Sequence, residues 1–370
     1  MVSVINDIVT DHRVLKTCRT LATCGYEVLV VGRSMSDSLP LNNWPFRTKR
    51  MRLLLNKGPF FYLFFNLRLF FVLLFTKAEL LYANDLDTLL PNFLVSRLKK
   101  IPLIFDSHEL FCEVPELQES PAKKWIWETL EKWIVPKLRH CITVNDSIAG
   151  IFEKKYGVKF HAVRNISDPL LPETYKSRAE LNLPENKRIV LLQGAGINID
   201  RGAEELVEAM KQVDDTLLLI IGSGDVWNKL ESTVEKEGLG EKVKLIRRIP
   251  KEQLVHFTAN ADIGISIDKN TNPNYYYSLP NKIFDYLQAG LPVLASRLPE
   301  IEKIVTNYRC GEFIESHEPG HLALRTRAML ESPQLKAYST NALTAAKELN
   351  WANEQQKLVA VIRAAGAADQ

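Results

Sequence analysis

Residues 278–296 read SLPNKIFDYLQAGLPVLAS, a short helix framed by its own punctuation and followed at once by a strand. Pro280-Asn281 precedes an apolar periodic run, and Gly290 followed by Pro292 closes it, so a helix of about ten residues is predicted between them. The strand is the apolar stretch 293–296. Lys282 stands in the first helical turn, where the macrodipole disfavours a cation by a few tenths of a kcal/mol. Packing does not call for that charge. An anion in front of the helix would explain it.

Working outward from this helix–strand pair, the same alternation extends backward. Strands are predicted at 188–192, 217–221, 243–246 and 263–267, with helices at 203–210, 226–237 and 251–260. An earlier series places strands at 2–5, 28–31, 79–82, 102–105 and 141–144. Its helices fall at 14–22, near 89–98, at 123–138 and at 147–156. Apolar strands alternating with helices predict an α/β fold with parallel sheets. At 370 residues the chain is long enough for two domains with separate cores. The first series gives way to a polar, proline-containing stretch at 167–184, so the domains are expected at 1–167 and 168–351. Two doubly wound units in tandem bind ligand where strand ends face a crevice, which here is expected between the domains.

Composition narrows the class. With 46% hydrophobic and 25% charged residues and a net charge of +3, the chain reads as soluble and globular, with nothing to announce nucleic acid. Five cysteines lie far apart without a CxxC pair. That is neither a disulfide framework nor a zinc signature, and it predicts a reducing cytoplasm. No basic segment followed by an apolar stretch opens the sequence, so no signal peptide is predicted. One region breaks the even composition. Arg47, Lys49, Arg50, Arg52 and Lys57 form a basic run without an acid, and PFFYLFFNLRLFFVLLF follows at 59–75. Seventeen residues are at the lower limit for a membrane span, and a central Arg68 costs at least about 2.5 kcal/mol to insert. The segment is expected instead as a helix of the first domain, with one face in the core. A second face pressed on an anionic bilayer beside the basic run is compatible with this.

Several motifs are set aside. His317-Glu318-Pro319-Gly320-His321 spells HExxH, but that motif works on a helix with both histidines on one face, and Pro-Gly predicts a loop. Gly194-Ala195-Gly196-Ile197-Asn198-Ile199 begins like GxGxxG but lacks the third glycine. Neither a phosphate-binding GxxxxGK[ST] nor a GxSxG elbow is present. The positive signals are polar residues at the ends of apolar strands. Asp106-Ser107-His108-Glu109 follows the strand at 102–105, where chemistry sits in such sheets. Arg201-Gly202 precedes a helix, so a guanidinium and helix amides are expected to hold a phosphate there. Lys282 repeats that arrangement, and two such places in one domain point to a diphosphate.

In order and spacing, the C-terminal half resembles the retaining glycosyltransferases of family 4, the group 1 enzymes with the two-domain GT-B fold. Gly194 at a strand end, Arg201-Gly202 before a helix, and Asp285-Tyr286-Leu287-Gln288-Ala289-Gly290-Leu291-Pro292-Val293 fall on the family's positions. Asn6-Asp7 through Asp11-His12-Arg13-Val14 looks like its N-terminal loop, and Asn350-Trp351 like its near-terminal tryptophan. Two departures stand out. The family's E-x7-E pair would need glutamates at 277 and 285, where this sequence has Tyr277 and Asp285. Ala195 replaces the arginine that many members place on the diphosphate.

The resemblance implies transfer of a sugar from a UDP- or GDP-sugar to a hydroxyl acceptor with retention. No prosthetic group and no metal are expected, since no acidic DxD pair follows a suitable strand; Asn84-Asp85-Leu86-Asp87 is the nearest imitation. Arg201 and Lys282 would hold the diphosphate, Lys282 standing in for the charge missing at Ala195. Asp285 would hold the ribose, backbone near Arg248-Ile249 would meet the base, and Gly194, Gly222 and Gly224 would line the nucleotide pocket. His108 would face the transferred sugar. A C-terminal helix at about 352–370 is expected to pack back on the first domain. The acceptor is expected to be a glycan or lipid-linked glycan of a cell-surface pathway, met in the cytoplasm or at the inner membrane face. Two alternatives stay open: a sugar-nucleotide epimerase of the same architecture, and a dinucleotide-binding oxidoreductase using the GAGINI loop.

Overall fold

The structure is a computed structural model. It describes the chain apart from Ser36, Asp37, Asn42, Leu54, Asn56, Lys57, Leu170, Leu171 and residues 368–370. Lys57, the last cation of the basic run, therefore lies outside the described residues. Packing divides the chain into two compact units, Met1–Asn165 with Ala352–Gln370, and Ile166–Trp351. Each is built on one parallel sheet.

The first unit opens with β1 (Val2–Ser3), α1 (His12–Thr23), β2 (Leu29–Ser34), β3 (Arg47–Arg52), α2 (Pro59–Phe75) and β4 (Leu81–Asn84). It continues with α3 (Leu86–Lys99), β5 (Leu103–Ser107), α4 (Pro115–Gln118) and α5 (Pro121–Ile134). Then come β6 (His140–Thr143), α6 (Asp146–Tyr156) and β7 (Phe160–Ala162). The strand order is β3-β2-β1-β4-β5-β6-β7. The chain starts in mid-sheet, winds outward through β2 and β3, then returns to β4 on the other flank of β1. Val2 accordingly lies opposite both Val30 and Tyr82. Such a reversal leaves a crevice beyond the carboxyl ends of β1 and β4.

The basic run is a strand rather than a flank of the apolar helix. Residues 47–52 pair along β2, with Lys49 opposite Val31, at the sheet's edge. Cations on an edge strand discourage pairing with another chain, so the run has a structural use close at hand. Within it only Met51 is fully buried. Arg50 Nη2 donates to the buried Asp7 Oδ1 at 2.7 Å, so its charge is already matched. The apolar segment is the helix α2, with Phe61, Phe65, Leu69 and Leu73 buried at four-residue spacing. The two polar residues that argue against a membrane span have local duties. Asn66 Nδ2 donates to the carbonyls of Tyr62 (2.9 Å) and Asp87 (3.0 Å), and Arg68 donates to the Arg52 carbonyl. Among the described residues no helix is long and apolar enough to cross a membrane.

The second unit begins with β8 (Arg188–Gly194), α7 (Ala203–Ala209), β9 (Thr216–Gly222), α8 (Trp227–Lys236), β10 (Val243–Arg247) and α9 (Lys251–Asn260). It proceeds through β11 (Ile263–Ser266), α10 (Pro273–Tyr276), α11 (Asn281–Gln288), β12 (Val293–Ser296) and α12 (Pro299–Tyr308). The last elements are β13 (Gly311–Ile314), α13 (Pro319–Leu330) and α14 (Leu335–Glu348), before α15 (Trp351–Ala367). The order β10-β9-β8-β11-β12-β13 puts the reversal between β8 and β11. Helices cover both faces, so alternate residues of one strand feed different cores. Val190 and Leu192 join Leu218, Ile220 and Ile265 on one face. Ile189 and Leu191 join Leu219, Ile221 and Val293 on the other. This two-sided burial is why the strands read as continuous apolar runs. From Ala352 onward α15 belongs to the first unit: Gln355 Nε2 donates to Thr20 Oγ1 at 3.0 Å, and Glu354 Oε2 accepts from the Arg164 N–H at 2.8 Å.

Candidate functional site

In the second unit the chain leaves β8 and β11 side by side at the sheet's reversal. β8 ends at Gly194, and two residues beyond β11 is Asp268, whose side chain is completely buried. Arg201 reaches it from the loop before α7, Nη1 to Oδ2 at 3.1 Å. Lys282 reaches it from the first turn of α11, Nζ to Oδ1 at 3.9 Å. The Arg201 guanidinium also lies 4.0 Å from the centre of the Tyr275 ring in α10, a contact that fixes the plane of a cation. Two cations predicted from separate motifs thus meet at one carboxylate and leave one positive charge in excess. Burial pushes Lys282 below the ordinary lysine range; Asp268 opposes that push and Arg201 adds to it.

The anion expected in front of α11 is therefore, in the first instance, Asp268. Sequence reasoning did not single it out, because Asp268-Lys269-Asn270 reads as a solvated turn. Its place just past a strand's carboxyl end at the reversal is the signal that identifies it, and that signal needs the strand order. A cavity of about 310 Å³ opens beside the cation pair, lined by Gly194, Ala195, Gly196, Arg201, Pro280 and Lys282 among others.

Gly222 and Gly224 do not line this cavity; they stand behind the loop that does. A Cβ on Gly222 would lie 1.8 Å from the Gly194 carbonyl oxygen, and one on Gly224 would lie 1.9 Å from that of Ile197. Only glycine lets the turn after β9 approach the backbone of 194–198 so closely. Their close approach to the backbone of 194–198 gives both glycines a supporting place behind that loop. Ile249 is half-buried against the core beside Leu254 and Phe257 and lines neither cavity described here.

Asp285 lies one turn beyond Lys282 but faces another group of polar side chains. Gln193 Nε2 donates to its Oδ2 at 3.3 Å, and Lys251 Nζ is 3.8 Å from Oδ1. Gln193 Oε1 in turn accepts from Thr258 Oγ1 at 2.8 Å. These residues line a separate cavity of about 30 Å³. The neighbouring Tyr286 holds α11 on the sheet, its buried hydroxyl 3.1 Å and 3.2 Å from the carbonyls of Leu191 and Ile265. So Gly194, Arg201 and Lys282 come together around one cavity, and Asp285 opens on an adjacent one.

His108 belongs to the first unit, at the end of β5. Its backbone N–H and Nδ1 face the two oxygens of Asp85 at 2.7 Å and 3.0 Å. Nε2 lies 3.2 Å from Asn84 Oδ1 and 3.7 Å from Asp106 Oδ2. Asn84 Nδ2 donates to the Ser3 carbonyl at 2.9 Å, which turns its oxygen toward the ring. Burial opposes the charge, yet Asp85 and Asp106 outweigh it and hold the imidazolium well above the usual histidine range. Asp106 is itself gripped by Arg13, Nε at 3.0 Å and Nη2 at 2.7 Å, and accepts from the Tyr82 hydroxyl at 2.8 Å. The flanking acid Asp106 was visible in the sequence. The closer partner Asp85 was not, since it arrives from the next strand, in the segment that reads as a DxD imitation.

Among the described residues no group of three His, Cys, Asp or Glu is placed to hold a metal. The HExxH segment is half loop and half helix. Pro319 starts α13 instead of preventing it, as proline does in a first turn. His317, outside the helix, contacts Ser296 Oγ at 3.2 Å and the Ile267 carbonyl at 3.0 Å, while His321 pairs with Glu315 at 3.0 Å.

Comparison with known proteins agrees with this layout. Residues 173–348 match the profile described as "Glycosyl transferases group 1", and residues 12–169 match "Glycosyltransferase Family 4". The chitobiosyldiphosphodolichol beta-mannosyltransferase of Candida albicans is 27% identical over 158 residues, which cover 41% of this chain and 33% of that enzyme. Among solved structures, sucrose-phosphate synthase from Thermosynechococcus elongatus superposes with a TM-score of 0.79 at 19% identity, covering 99% of this chain and 98% of its own. Anabaena HepE in complex with UDP and glucose does so at 0.75 and 15%, covering 98% of each chain. These structures share the GT-B fold of paired Rossmann-like sheets. With one profile on each of its two sheets, the chain belongs to the family 4, group 1 glycosyltransferases.

Proposed function

We propose that this protein transfers a sugar from a nucleoside-diphosphate sugar to a hydroxyl acceptor with retention of configuration. The observation that carries this reading is the meeting of Arg201 and Lys282 on Asp268 beside an open cavity of about 310 Å³. As the bond from the anomeric carbon to the donor phosphate breaks, negative charge gathers on the leaving diphosphate. Preorganised cations in a partly water-excluded site stabilise that charge without having to reorient. In this reading Asp285 binds the ribose hydroxyls, with Gln193 orienting it, and His108 meets the transferred sugar as a charged donor. UDP- and GDP-sugars are the donors to try first; a UDP complex of a protein with the same fold supports including UDP.

The acceptor in this reading is a glycan or lipid-linked glycan met at the cytoplasmic membrane face. The Candida relative's name specifies a diphosphodolichol acceptor, and α2 turns Phe60, Leu63, Phe64, Leu67, Phe71 and Phe75 outward, both of which support it.

Thermal-shift titration with UDP-, GDP- and ADP-sugars beside NAD tests the donor class. Stabilisation by a sugar nucleotide and its diphosphate, but not by NAD, is expected; the reverse overturns the proposal. Arg201→Ala is expected to lower turnover roughly a hundredfold or more while leaving the fold intact, as for loss of a group that stabilises a leaving anion. Near-normal turnover removes Arg201 from the mechanism. An isomerised sugar nucleotide formed without acceptor identifies an epimerase instead.

A further inference from the structure

A second cluster of cations lies at the other end of the strands that carry His108. Between the end of α3 and the starts of β5 and β6 is a cavity of about 250 Å³, lined by Arg97, Lys100, Lys137, Arg139 and His140 together with Phe93. No acid is among its lining residues, and among the described residues no carboxylate forms an ion pair with any of these cations. Their contacts are to neutral groups. Arg97 Nη2 donates to the Lys137 carbonyl at 2.9 Å, and its guanidinium lies 5.2 Å from the Phe93 ring centre. Lys137 Nζ lies 4.8 Å over the Trp133 ring, which meets Phe93 edge-on at 5.7 Å. These contacts orient the charges and leave them uncompensated. Four permanent cations around one cavity call for an anion with several acceptor oxygens, and a phosphoryl group has that chemistry.

The surroundings select its source. Leu94 and Leu98, one turn apart on α3 with Arg97 between them, are exposed, as is Trp133; Leu98 is 65% exposed. Trp125 and Ile126 of α5 are exposed as well, as are the outward residues of α2, which packs beside α3. A soluble phosphate has no use for an apolar rim of this kind. A phospholipid carries its phosphate next to acyl chains and matches both parts, and an amphipathic tryptophan belongs at that boundary.

We infer that this cavity is a headgroup site for an anionic phospholipid, with Arg97, Lys100 and Arg139 on the phosphate and Leu94, Leu98 and Trp133 entering the acyl layer. The inference rests on the membrane placement proposed above and sharpens it. Recognition falls to the ends of α3 and α5 rather than to the basic strand β3. Leu103 and Ser107 are opposite ends of β5, about 13 Å apart along a strand. The lipid held here is therefore an anchor, separate from any acceptor near His108.

Flotation of the full-length protein with vesicles tests this. One set is phosphatidylcholine alone and one contains phosphatidylglycerol; inorganic phosphate serves as soluble competitor. Three variants are compared with the wild type. The first is Arg97→Gln/Lys100→Asn/Arg139→Gln, with asparagine at 100 because that backbone is left-handed (φ 55°). The second is Leu98→Gln. The third, Lys229→Gln/Lys236→Gln/Lys242→Gln in the second unit, removes the same net charge elsewhere. Melting curves verify that each is folded.

The wild type is expected to float with phosphatidylglycerol and much less with phosphatidylcholine. The first variant is expected to lose roughly a hundredfold in binding, at about fivefold per cation near an anionic surface, while the third keeps its binding. Leu98→Gln should weaken binding to a smaller extent. Equal binding by the two triple variants, or equal binding to both vesicle types, overturns the headgroup site while the membrane placement stands. If the wild type floats with neither, both fall. If inorganic phosphate displaces the protein at concentrations matched to the lipid phosphate, the ligand is a soluble phosphate and the lipid assignment fails. A dimer that buries the apolar face and is unaffected by vesicles has the same consequence.

Discussion

In the proposed donor site the electrostatics turn on Asp268. It keeps Arg201 and Lys282 close together before any ligand arrives, at the expense of neutralising part of their charge. Removing one member of a buried ionic group strands the others, at roughly 3 kcal/mol or more when the group is fully enclosed. Arg201 is 23% and Lys282 12% exposed here, so solvent trims the penalty. Asp268→Asn should lower the melting temperature by several degrees while tightening diphosphate binding, because the two cations are then free for the ligand. Calorimetric titration with UDP and GDP beside a melting curve checks this; weaker diphosphate binding in the variant would mean that Asp268 positions the cations more than it competes for them. Lys282 adds a pH dependence. Its pKa lies below the ordinary lysine value of about 10.4, so raising pH through the lowered value discharges it in the free protein. Donor affinity should fall on that alkaline limb. Lys282→Arg, which stays charged, should flatten the limb. An unchanged limb in that variant assigns the titration elsewhere.

At the scale of elements, the site depends on how closely two turns pack. The turn after β9 lies against the loop after β8, and Gly224 allows the contact. Because the obstructing atom is the Ile197 backbone carbonyl oxygen, 1.9 Å from where an alanine Cβ would sit, the loop itself has to move in Gly224→Ala. A loss of about 1–3 kcal/mol in stability with weaker donor binding is expected. Gly240→Ala, with nothing near its Cβ, should leave donor binding unchanged. Equal behaviour of the two variants would show that the turn has slack. The same packing logic explains what was legible beforehand. Strands buried on two faces, such as β8 and β9, appear as apolar runs, so the doubly wound class could be read from the alternation. β3 could not, since an edge strand of arginines and lysines carries no apolar run or alternation to mark it. Arg201 and Lys282 were visible because each stands at a helix start with its own signature. Asp268 and Asp85 were not, because their importance follows from which strands become neighbours. For Asp268, β8 and β11 are adjacent in the sheet with two strands between them in sequence, and no local pattern encodes that adjacency; for Asp85, it is the pairing of β4 with β5 that brings it to His108.

At the scale of the whole molecule, each sheet carries a charged cluster beyond the carboxyl ends of its strands, His108 with Asp85 and Asp106 in one and Arg201 with Lys282 and Asp268 in the other, and the two clusters titrate differently. The centre of the first unit is an imidazolium at His108, held by Asp85 and Asp106, with Arg13 closing the far side of Asp106. For Asp106, burial raises the pKa but Arg13 and His108 outweigh it and lower it below the usual carboxylate value. Its contribution to stability is present above an unfolded value of about 3.9 and fades as pH falls through the lower folded value. For His108 the sign is reversed. Its folded pKa is raised, so its contribution is complete below an unfolded value of about 6.5 and is lost as pH rises through the folded value. His108→Gln keeps a hydrogen-bonding side chain but not the charge. The melting-temperature gap between wild type and variant should therefore be widest near pH 6 and narrow steadily toward alkaline pH, measured by circular dichroism across the range. Nucleoside-diphosphate affinity should be the same in both, because Arg201, Lys282 and Asp285 belong to the other unit, whereas turnover should fall. A gap that widens with pH would mean that His108 is neutral in the folded protein, and a drop in diphosphate affinity would tie His108 to the donor's phosphates instead of its sugar.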